Sequence, residues 1–395
     1  MRVSRVPRSI LIVAPEFAID ADGTYRPGGL AVFARSVVES LAGAPGLARL
    51  EAWGLLDTPA GLGVFERHHR GSPTRVRARA FGGDRPRMAV EFALRHLAFE
   101  LVIFLHIGVG RLGVLRPFRR QSLWLVGIEV RRRLRVDERF TVRRARPLLA
   151  ISRFSSDEMR RHNPDLPAAL PVHLGVEPEG PWSSSTTTNA TETAVPKYVA
   201  AARKPAVLIV ARLAASERYK GHDQLLEAWG EVRRQHPAAE LWIAGAGDDL
   251  ERLRARAAGL GHAGGDSVQF LGRVSHARLF ELYATARLFA MPSTGEGFGL
   301  VFTEAMRFGL PCVCSFDSSA EIVQDGVTGL VVAQEPAAIA VACGRLLADD
   351  ALAERLGAAG QRRFRQRYTF DGMRARVREA YGYAIGATAS SETQA

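Results

Sequence analysis

Short runs of consecutive apolar residues alternate along the chain with segments whose apolar residues recur every three or four positions. Residues 10–14, 101–105, 206–210 and 288–291 are runs of the first kind, and residues 30–42 are a segment of the second. A short continuous run predicts a strand buried on both faces, and the longer period predicts an amphipathic helix. Strands that alternate with helices form parallel, doubly wound sheets. We therefore expect an α/β fold built from Rossmann-like sheets.

A polar stretch rich in serine and threonine interrupts this alternation near the middle of the chain. It reads PEGPWSSSTTTNATETAVPK over residues 178–197, and the strand and helix pattern begins again after it. A chain of 395 residues is also too long for one ordinary hydrophobic core. We predict a first Rossmann-like domain (1–177), a linker or exposed loop (178–200), a second Rossmann-like domain (201–367), a C-terminal helix packing back on the first domain (368–385) and a disordered tail (386–395).

The segment 292–311, PSTGEGFGLVFTEAMRFGLP, contains several residues that are candidates for ligand binding or catalysis. It predicts a glycine-rich turn that opens a helix over about Leu300 to Phe308. Such a turn leaves backbone N–H groups free at the positive end of the helix dipole, which suits a phosphate group. Glu296 in the turn and Glu304 in the helix supply carboxylates that can bind hydroxyl groups. A phosphate-bearing sugar, such as a nucleotide-sugar, would satisfy both features.

Cations and glycines follow other predicted strands. Arg212 comes just after the apolar run 206–210, and Lys220 with Gly221 opens the next helix. Lys220 is one of only three lysines in the chain. The pair Gly28 and Gly29 lies between the first strand and the first helix, which is an arrangement for close approach of a phosphate. Two doubly wound halves that met at the carboxyl ends of their strands would form a cleft, the usual ligand position for such sheets.

Positive charge is concentrated in the first half of the chain. Residues 1–176 hold 29 lysines and arginines against 16 aspartates and glutamates, while the whole chain has a net charge of +12. The excess includes RVRAR (75–79), RPFRR (116–120) and the arginines between 131 and 135. A mutational bias toward arginine explains the type of cation but not this asymmetry. Such a field attracts an acidic membrane face or a phosphorylated acceptor, and no motif for binding nucleic acid accompanies it.

The chain has three cysteines, at 312, 314 and 343. Because this number is small and odd, it does not indicate a disulfide framework, and we expect a reducing compartment. The start MRVSRVPRS before ILIVA resembles a signal peptide, but its apolar run is short and a charged loop follows, so a first strand is the better interpretation. No apolar run has the length of a membrane span. We expect a cytoplasmic protein, and its basic first half predicts peripheral attachment at the anionic inner face of the plasma membrane.

The second half resembles the donor domain of the retaining glycosyltransferases of family 4, the glycosyl transferases of group 1. The features that match, in order, are Arg212, Lys220 with Gly221, FLGRVS (270–275), GEGFGLVFTEA (295–305) and DGVTGLVV (325–332). The first half matches more loosely, through Gly28-Gly29 and the region of Ser152 to Phe154. The resemblance implies the GT-B fold, with two Rossmann-like domains that face each other across a cleft, the first for the acceptor and the second for the nucleotide-sugar.

The resemblance also implies roles for individual residues. Arg212 and Lys220 would hold the diphosphate and Glu296 the donor sugar hydroxyls, and these three are the catalytic candidates. The donor-binding candidates are Gly28, Gly29, Val274 near the base, the backbone N–H groups of Phe298, Gly299 and Leu300, and Glu304 at the ribose. A dianionic leaving group held by cations and helix N–H groups needs no metal and no other cofactor.

The acceptor side departs from the family pattern. Relatives often carry a histidine just before the glycine of a Gly-Ile-Glu run, and this chain has Val126 there. His106, at the end of the preceding strand, and Glu129 are the candidates on that side. Retention usually suggests a carboxylate nucleophile, but the family is thought to use attack on the same face, with the leaving phosphate taking the acceptor's proton, so no nucleophile is assigned.

The function that the sequence predicts is transfer of a hexosyl group from GDP-mannose or a UDP-hexose to a saccharide or polyprenyl-diphosphate-linked saccharide, for cell-surface polysaccharide or glycoconjugate synthesis. A soluble small-molecule acceptor, or a non-catalytic nucleotide-sugar-binding protein, stays open because of Val126. An epimerase would need an acid/base set that the first half does not show. A phosphorylase would need a pyridoxal lysine, and the only lysines in the chain are Lys197, Lys204 and Lys220. An NAD-dependent oxidoreductase would need a third glycine after Gly245-Ala246-Gly247, and the sequence lacks it at the expected spacing.

Overall fold

The computed structural model of the protein describes residues 6–22, 28–176, 199–261 and 265–383. It divides the chain into two compact units, one of residues 1–185 and 369–395 and the other of residues 186–368. The predicted linker over 178–200 lies almost wholly outside the described residues, and the predicted tail over 386–395 lies outside them entirely.

The first unit is built on a parallel sheet of seven described strands in the order β3-β2-β1-β4-β5-β6-β7. The strands are β1 (Ser9–Ala14), β2 (Arg49–Gly54), β3 (Arg75–Ala80), β4 (Leu101–Phe104), β5 (Gln121–Leu125), β6 (Leu148–Ala150) and β7 (Leu170–Pro171). The helices are α1 (Gly29–Leu41), α2 (Pro59–His68), α3 (Arg85–Arg95), α4 (Ile107–Gly110), α5 (Val136–Arg144) and α6 (Arg153–His162). Short 3₁₀ turns cover His96–Ala98, Arg111–Leu115 and Ile128–Val130.

The second unit has a parallel sheet of six described strands in the order β10-β9-β8-β11-β12-β13. The strands are β8 (Ala206–Val210), β9 (Glu240–Ala244), β10 (Val268–Gly272), β11 (Leu288–Met291), β12 (Cys312–Cys314) and β13 (Gly329–Val331). The helices are α7 (His222–Gln235), α8 (Leu250–Ala258), α9 (His276–Thr285), α10 (Leu300–Arg307), α11 (Ser319–Ile322), α12 (Pro336–Ala348) and α13 (Asp350–Arg367). A last helix, α14 (Phe370–Ala380), belongs to the first unit.

The apolar runs form the centres of both sheets, because a strand covered on both faces needs apolar side chains throughout. In β1, Ile10 pairs with Leu50 of β2 on one side and Leu101 of β4 on the other, and all three side chains are fully buried. The predicted α/β fold with two doubly wound parallel sheets is confirmed. The cysteines at 312, 314 and 343 are free and buried, so their side chains are part of the core.

The C-terminal helix is anchored to the first unit by side chains that follow it. The hydroxyl of Tyr381 lies 2.8 Å from Nε1 of Trp124 and 3.0 Å from Oγ of Ser122, and the hydroxyl of Tyr383 donates to the carbonyl of Pro7. Burial raises the pKa of Tyr381, so its hydroxyl keeps its proton. These contacts hold the last described residues against the first sheet.

The basic run 75–79 forms β3 at the edge of the sheet, where Arg77 pairs with Glu66 and Arg79 with Glu91. Alternating arginines and small apolar residues fit a strand with one covered face. Helix α3 begins at Arg85, because Asp84 caps it by accepting from the N–H of Arg87.

Candidate functional site

The site lies at the carboxyl edge of the second sheet, where the strand order changes direction. β8 and β11 are neighbours there, although three helices and two strands separate them in the chain. Such a switch point is where the loops after two adjacent strands diverge and leave room for a ligand. The loop after β8 carries Arg212 and Lys220, and the loop after β11 carries Glu296. The fold therefore brings the three predicted catalytic residues to one place.

The cations and carboxylates of the site form one cluster. Nζ of Lys220 lies 3.5 Å from Oε1 of Glu296 and 3.3 Å from Oε2 of Glu217. Glu217 also accepts a hydrogen bond from Nη2 of Arg212. The side chain of Arg212 is 64% exposed, whereas the other three are mostly buried. Glu217, which the sequence reasoning missed, thus holds both cations that were predicted to bind a diphosphate.

The environment of Glu296 disfavours its charged form. Burial is the largest influence and raises the pKa of its carboxyl group, and the nearby carboxylates of Asp317 and Glu217 act in the same direction. Lys220 opposes them and stabilises the carboxylate. A partly desolvated carboxylate beside a single cation is a strong acceptor for hydroxyl groups, since little water competes for it.

Residues that follow β12 hold the backbone of Glu296. Oδ2 of Asp317 accepts from the N–H of Glu296 at 2.8 Å, and its Oδ1 accepts from the N–H of Ser319 at 2.8 Å. Oγ of Ser318 donates to the carbonyl of Glu296 at 2.8 Å. The sequence reasoning missed this support. The mostly polar segment 315–319 directly after a buried strand was the available signal, because it places side chains at the same sheet edge.

The loops after β8 and β11 are joined by backbone groups. The N–H of Thr294 donates to the carbonyl of Tyr219 at 3.0 Å. Nε2 of Gln334, just beyond β13, donates to the carbonyls of Tyr219 at 2.9 Å and Pro292 at 2.7 Å. One side-chain amide therefore bridges both loops, which fixes the positions of Lys220 and Glu296 relative to each other.

Two glycines are required because these loops approach so closely. A Cβ atom at Gly295 would lie 2.2 Å from the ring of Tyr219, and one at Gly221 would lie 2.4 Å from the carbonyl oxygen of Pro292. Gly221 also has φ +86°, in the left-handed region that favours glycine. Both contacts are too short for any side chain, so only glycine at these two positions allows the loops to pack this closely.

A second glycine motif braces the loop after β8 from the other side. A Cβ atom at Gly245 would lie 1.8 Å from the carbonyl oxygen of Ala211, and one at Gly247 would lie 2.0 Å from that of Leu213. Asp248 accepts from the N–H of Ala215 at 2.8 Å. These glycines, which had suggested a dinucleotide motif, are explained by close packing of two loops.

Helix α10 begins at the site without a side-chain cap. Gly299, at φ +92°, is its N-cap residue, and no side chain accepts from the first turn among the described residues. Further along α10, Oε2 of Glu304 accepts from the hydroxyl of Tyr283 at 2.8 Å. Burial raises the pKa of both groups, for Tyr283 well above its ordinary value. The helix start suits an anion, and Glu304 keeps one oxygen for another donor.

The remaining donor-side candidates lie at several different places in the fold. Phe298 is buried against Tyr368, and Leu300 opens α10. Val274 follows β10, which β9 separates from β8, so it lies toward the sheet margin. Gly28 and Gly29 open α1 in the first unit, and a Cβ atom at either would meet nothing within 4 Å. The local fold does not require these two glycines, and their role stays a prediction.

The two acceptor-side candidates have local roles in the first unit. Nδ1 of His106 accepts from the N–H of Gly108 at 2.9 Å and caps α4. Oε1 of Glu129 accepts from the N–H groups of Val126 at 2.8 Å and Gly127 at 3.1 Å, which closes the turn after β5. These contacts account for both side chains structurally, and contact of either with an acceptor stays a prediction.

Comparison with known proteins agrees with this architecture. Residues 204–349 match the model of the family described as glycosyl transferases group 1. The resemblance predicted from the sequence is thereby confirmed, and membership of family 4 is consistent with it. Similar solved structures include HepE from Anabaena with UDP-glucose (TM-score 0.69, 19% identity, 94% of this chain and 98% of that one) and sucrose-phosphate synthase from Thermosynechococcus elongatus (0.68, 21%, 95% and 98%). They show that the protein has the GT-B fold.

Curated relatives match the second half of the chain. A GDP-mannose-dependent alpha-(1-6)-phosphatidylinositol monomannoside mannosyltransferase of Mycolicibacterium smegmatis is 38% identical over 167 residues, which is 40% of this chain and 42% of the relative. A phosphatidyl-myo-inositol mannosyltransferase of Mycobacterium leprae is 36% identical over 181 residues, 45% of this chain and 46% of the relative. The chain thus spans less than half the length of the curated relatives it matches. Within the described residues, no helix is both long and apolar enough to cross a membrane.

Proposed function

We propose that the protein is a glycosyltransferase that moves a hexosyl group from a nucleoside-diphosphate sugar to a saccharide or lipid-linked saccharide. The observation that carries the proposal is the cluster in which Lys220 lies 3.5 Å from Glu296 and shares Glu217 with Arg212, beside the uncapped start of α10. Two cations and a helix start suit a diphosphate, and a carboxylate beside them suits the hydroxyls of the attached sugar.

Charge neutralisation explains how this arrangement would promote transfer. Transfer breaks the bond between the sugar and the nucleoside diphosphate. The negative charge on the departing diphosphate grows in the transition state. Lys220 and Arg212 are held in place before the donor arrives, so little reorganisation is needed at the moment of reaction. Glu296 would orient the sugar, and Glu304 would accept from the ribose. We propose that the reaction needs no metal and retains the configuration of the anomeric carbon, with the leaving phosphate accepting the acceptor's proton.

GDP-mannose is the first donor to test. Relatives that match the donor half are named as GDP-mannose-dependent mannosyltransferases, while HepE was solved with UDP-glucose. The names of the first relatives also favour a glycolipid acceptor, held at an anionic membrane surface on the cytoplasmic side. A polyprenyl-diphosphate-linked saccharide is the alternative lipid acceptor.

Thermal stabilisation and product release together test the proposal. GDP, UDP and their sugar derivatives should be compared for the rise in melting temperature of the full chain, since a ligand that binds only the folded state stabilises it. Release of the nucleoside diphosphate should then be followed with and without phosphatidylinositol mannoside or a soluble sugar. Stabilisation by one nucleotide, with release that increases on adding acceptor, is expected. No stabilisation by any nucleotide-sugar would exclude the proposal.

A non-catalytic nucleotide-sugar-binding protein is the second candidate, because Val126 stands where relatives often carry a histidine. The same experiment separates the two functions. Stabilisation by a nucleotide-sugar without release of the diphosphate, under any acceptor, would favour the binding protein. Release that only a soluble sugar increases would identify a transferase with a small-molecule acceptor.

A further inference from the structure

Helix α3 has an apolar face on its outward side as well as on its inward side. Met88 and Phe92 are buried against the sheet, as expected for a surface helix. Val90 and Leu94, with Leu97 in the following 3₁₀ turn, are spaced by four and three residues, so they lie along one outward stripe. Leu94 is 77% exposed. Water-facing apolar residues in such a row are uncommon on a surface that contacts only solvent.

A second group of exposed apolar residues lies beside this stripe. The loop after the 3₁₀ turn Arg111–Leu115 presents Phe118, which is 88% exposed, and the start of α5 presents Val136 at 86%. An open groove of about 690 Å³ runs between the turn and α5, and Val114, Val136 and Phe140 contribute its apolar walls. The apolar surface therefore extends over three elements of the first unit.

Arg116 fixes the two groups next to each other. Its buried guanidinium group donates to the carbonyls of His96, Phe99 at 2.6 Å and Glu100 at 3.3 Å, in and just after the 3₁₀ turn that follows α3. Its Nε donates to the carbonyl of Arg120 at 3.1 Å. Because one side chain holds both segments, the Phe118 loop is tied to the residues that carry Leu97.

Many arginines of the segment 84–146 pair with carboxylates, as Arg87 does with Glu91 and Arg111 with Asp137, but two beside the apolar residues do not. The guanidinium group of Arg144 lies over the rings of Phe118 at 5.9 Å and Phe140 at 5.8 Å. Within the part of the chain that the structure describes, neither Arg119 nor Arg144 forms an ion pair with a carboxylate. The positive charge at this place is therefore available to an external anion.

We propose that this surface, defined by Val90, Leu94, Leu97, Phe118, Arg119 and Arg144, docks the protein on an anionic lipid bilayer. The apolar side chains would enter the boundary between headgroups and acyl chains, and the guanidinium groups would bind lipid phosphates. A bilayer fits better than a protein partner, because the apolar residues project from separate elements and the arginines beside them have no fixed carboxylate partner, which suits lipid phosphates that have no fixed positions. The inference rests on the proposed function only in that a lipid-linked acceptor makes membrane contact useful.

Sedimentation with vesicles tests the proposal with the full chain. Binding to phosphatidylcholine vesicles should be compared with and without phosphatidylglycerol. We expect Phe118→Ser to weaken binding to the anionic vesicles about tenfold, because a large apolar side chain is lost from the interface. Arg119→Glu should weaken it at least about fivefold, and added salt should have a similar effect.

Matched variants in the second unit supply the controls. Val341 on α12 has the same 60% exposure as Val90, so Val341→Ser is paired with Val90→Ser. Arg365 on α13 is exposed, so Arg365→Glu is paired with Arg119→Glu. The control variants should bind vesicles like the unchanged protein. Melting temperatures of all variants show that each one folds.

Three results would overturn the proposal. Equal loss of vesicle binding in the control variants would show a general charge effect, and equal binding to uncharged vesicles would remove the role of the arginines. A concentration-dependent dimer that Phe118→Ser abolishes would show that a second copy covers the surface. Stabilisation by nucleotides is measured separately, so vesicle binding without it would overturn the transferase proposal and leave the membrane surface standing.

Discussion

The two charged regions of the molecule differ in how their cations are balanced. At the edge of the second sheet, Lys220 lies within 3.5 Å of two carboxylates and is mostly buried. In the first unit, Arg119 is exposed and Arg144 lies over aromatic rings. A cation with fixed carboxylate partners has one position, which suits a small ligand of defined geometry. Exposed arginines among apolar residues suit an extended anionic surface, whose phosphates have no fixed positions.

The same contrast holds within the first unit. β3 is as rich in arginine as the Phe118 loop, but Arg77 pairs with Glu66 and Arg79 with Glu91. The positive charge of β3 is therefore largely neutralised where it lies. The number of arginines in a segment does not show which of them can bind a partner, because that depends on carboxylates brought close by the fold.

The largest expected effect is that of Lys220→Ala. It removes the cation that contacts both Glu217 and Glu296, so the leaving diphosphate loses a prepositioned charge. We expect the rate of diphosphate release to fall by about 10³-fold. Lys204→Ala is the matched control, because Lys204 lies over the ring of Trp242 at the opposite end of β8. An unchanged rate in Lys220→Ala would remove this residue from the mechanism.

Glu296→Gln should have the next largest effect. The substitution keeps the shape of the side chain and removes the charge that lies beside Lys220, so donor sugar hydroxyls would lose a strong acceptor. We expect kcat to fall about a hundredfold while the nucleotide alone still stabilises the protein. Steady-state kinetics with the preferred donor and a melting curve with the free diphosphate measure the two quantities. Full turnover with normal kinetics would contradict the role of Glu296.

Glu304→Gln should change nucleotide affinity about tenfold and change the pH dependence of stability. Burial raises the pKa of Glu304 above its ordinary value of 4.5, so the folded state keeps a proton that the unfolded chain releases. The stability that this proton supplies is present below pH 4.5 and is lost as pH rises through the folded-state pKa. Glutamine does not titrate. The melting temperature of the variant should therefore rise relative to that of the unchanged protein as the pH increases above 4.5.

The control for the pH experiment is Glu281→Gln, because Glu281 is exposed and pairs with Arg278 on the same helix. Its melting temperature should follow that of the unchanged protein across this range. A pH-independent difference between Glu304→Gln and the unchanged protein would mean that Glu304 is not protonated differently in the folded state.

The smallest expected effect is that of Arg77→Gln on vesicle binding. The exposed pair between Arg77 and Glu66 contributes little to stability, about 0 to 1 kcal/mol, and its charge is already matched. We expect vesicle binding to change less than about twofold, in contrast to Arg119→Glu. A loss as large as that of Arg119→Glu would show that total charge, and not the position of unmatched arginines, determines attachment.

Much of the fold and part of the site could be predicted from the sequence. Strands β8 and β11 have the predicted bounds, because continuous apolar runs that end near an arginine or at a proline leave few alternatives. Arg212, Lys220 and Glu296 follow the strands that the fold places side by side. Glu217, Asp317 and Gln334 were missed, since an ordinary polar residue in a loop carries no signal until its partner, far away in the chain, is known.

The sequence by itself determined the two parallel sheets and the order in which the site residues follow their strands. Those features depend on local periodicity and on the rules for connecting strands, and both can be applied to a single sequence. Only the tertiary structure decided which charges are matched. Ion pairs and hydrogen bonds such as those of Lys220 with Glu296 or Gln334 with Pro292 join residues 76 and 42 positions apart, and electrostatic energy depends on distance in space rather than in sequence.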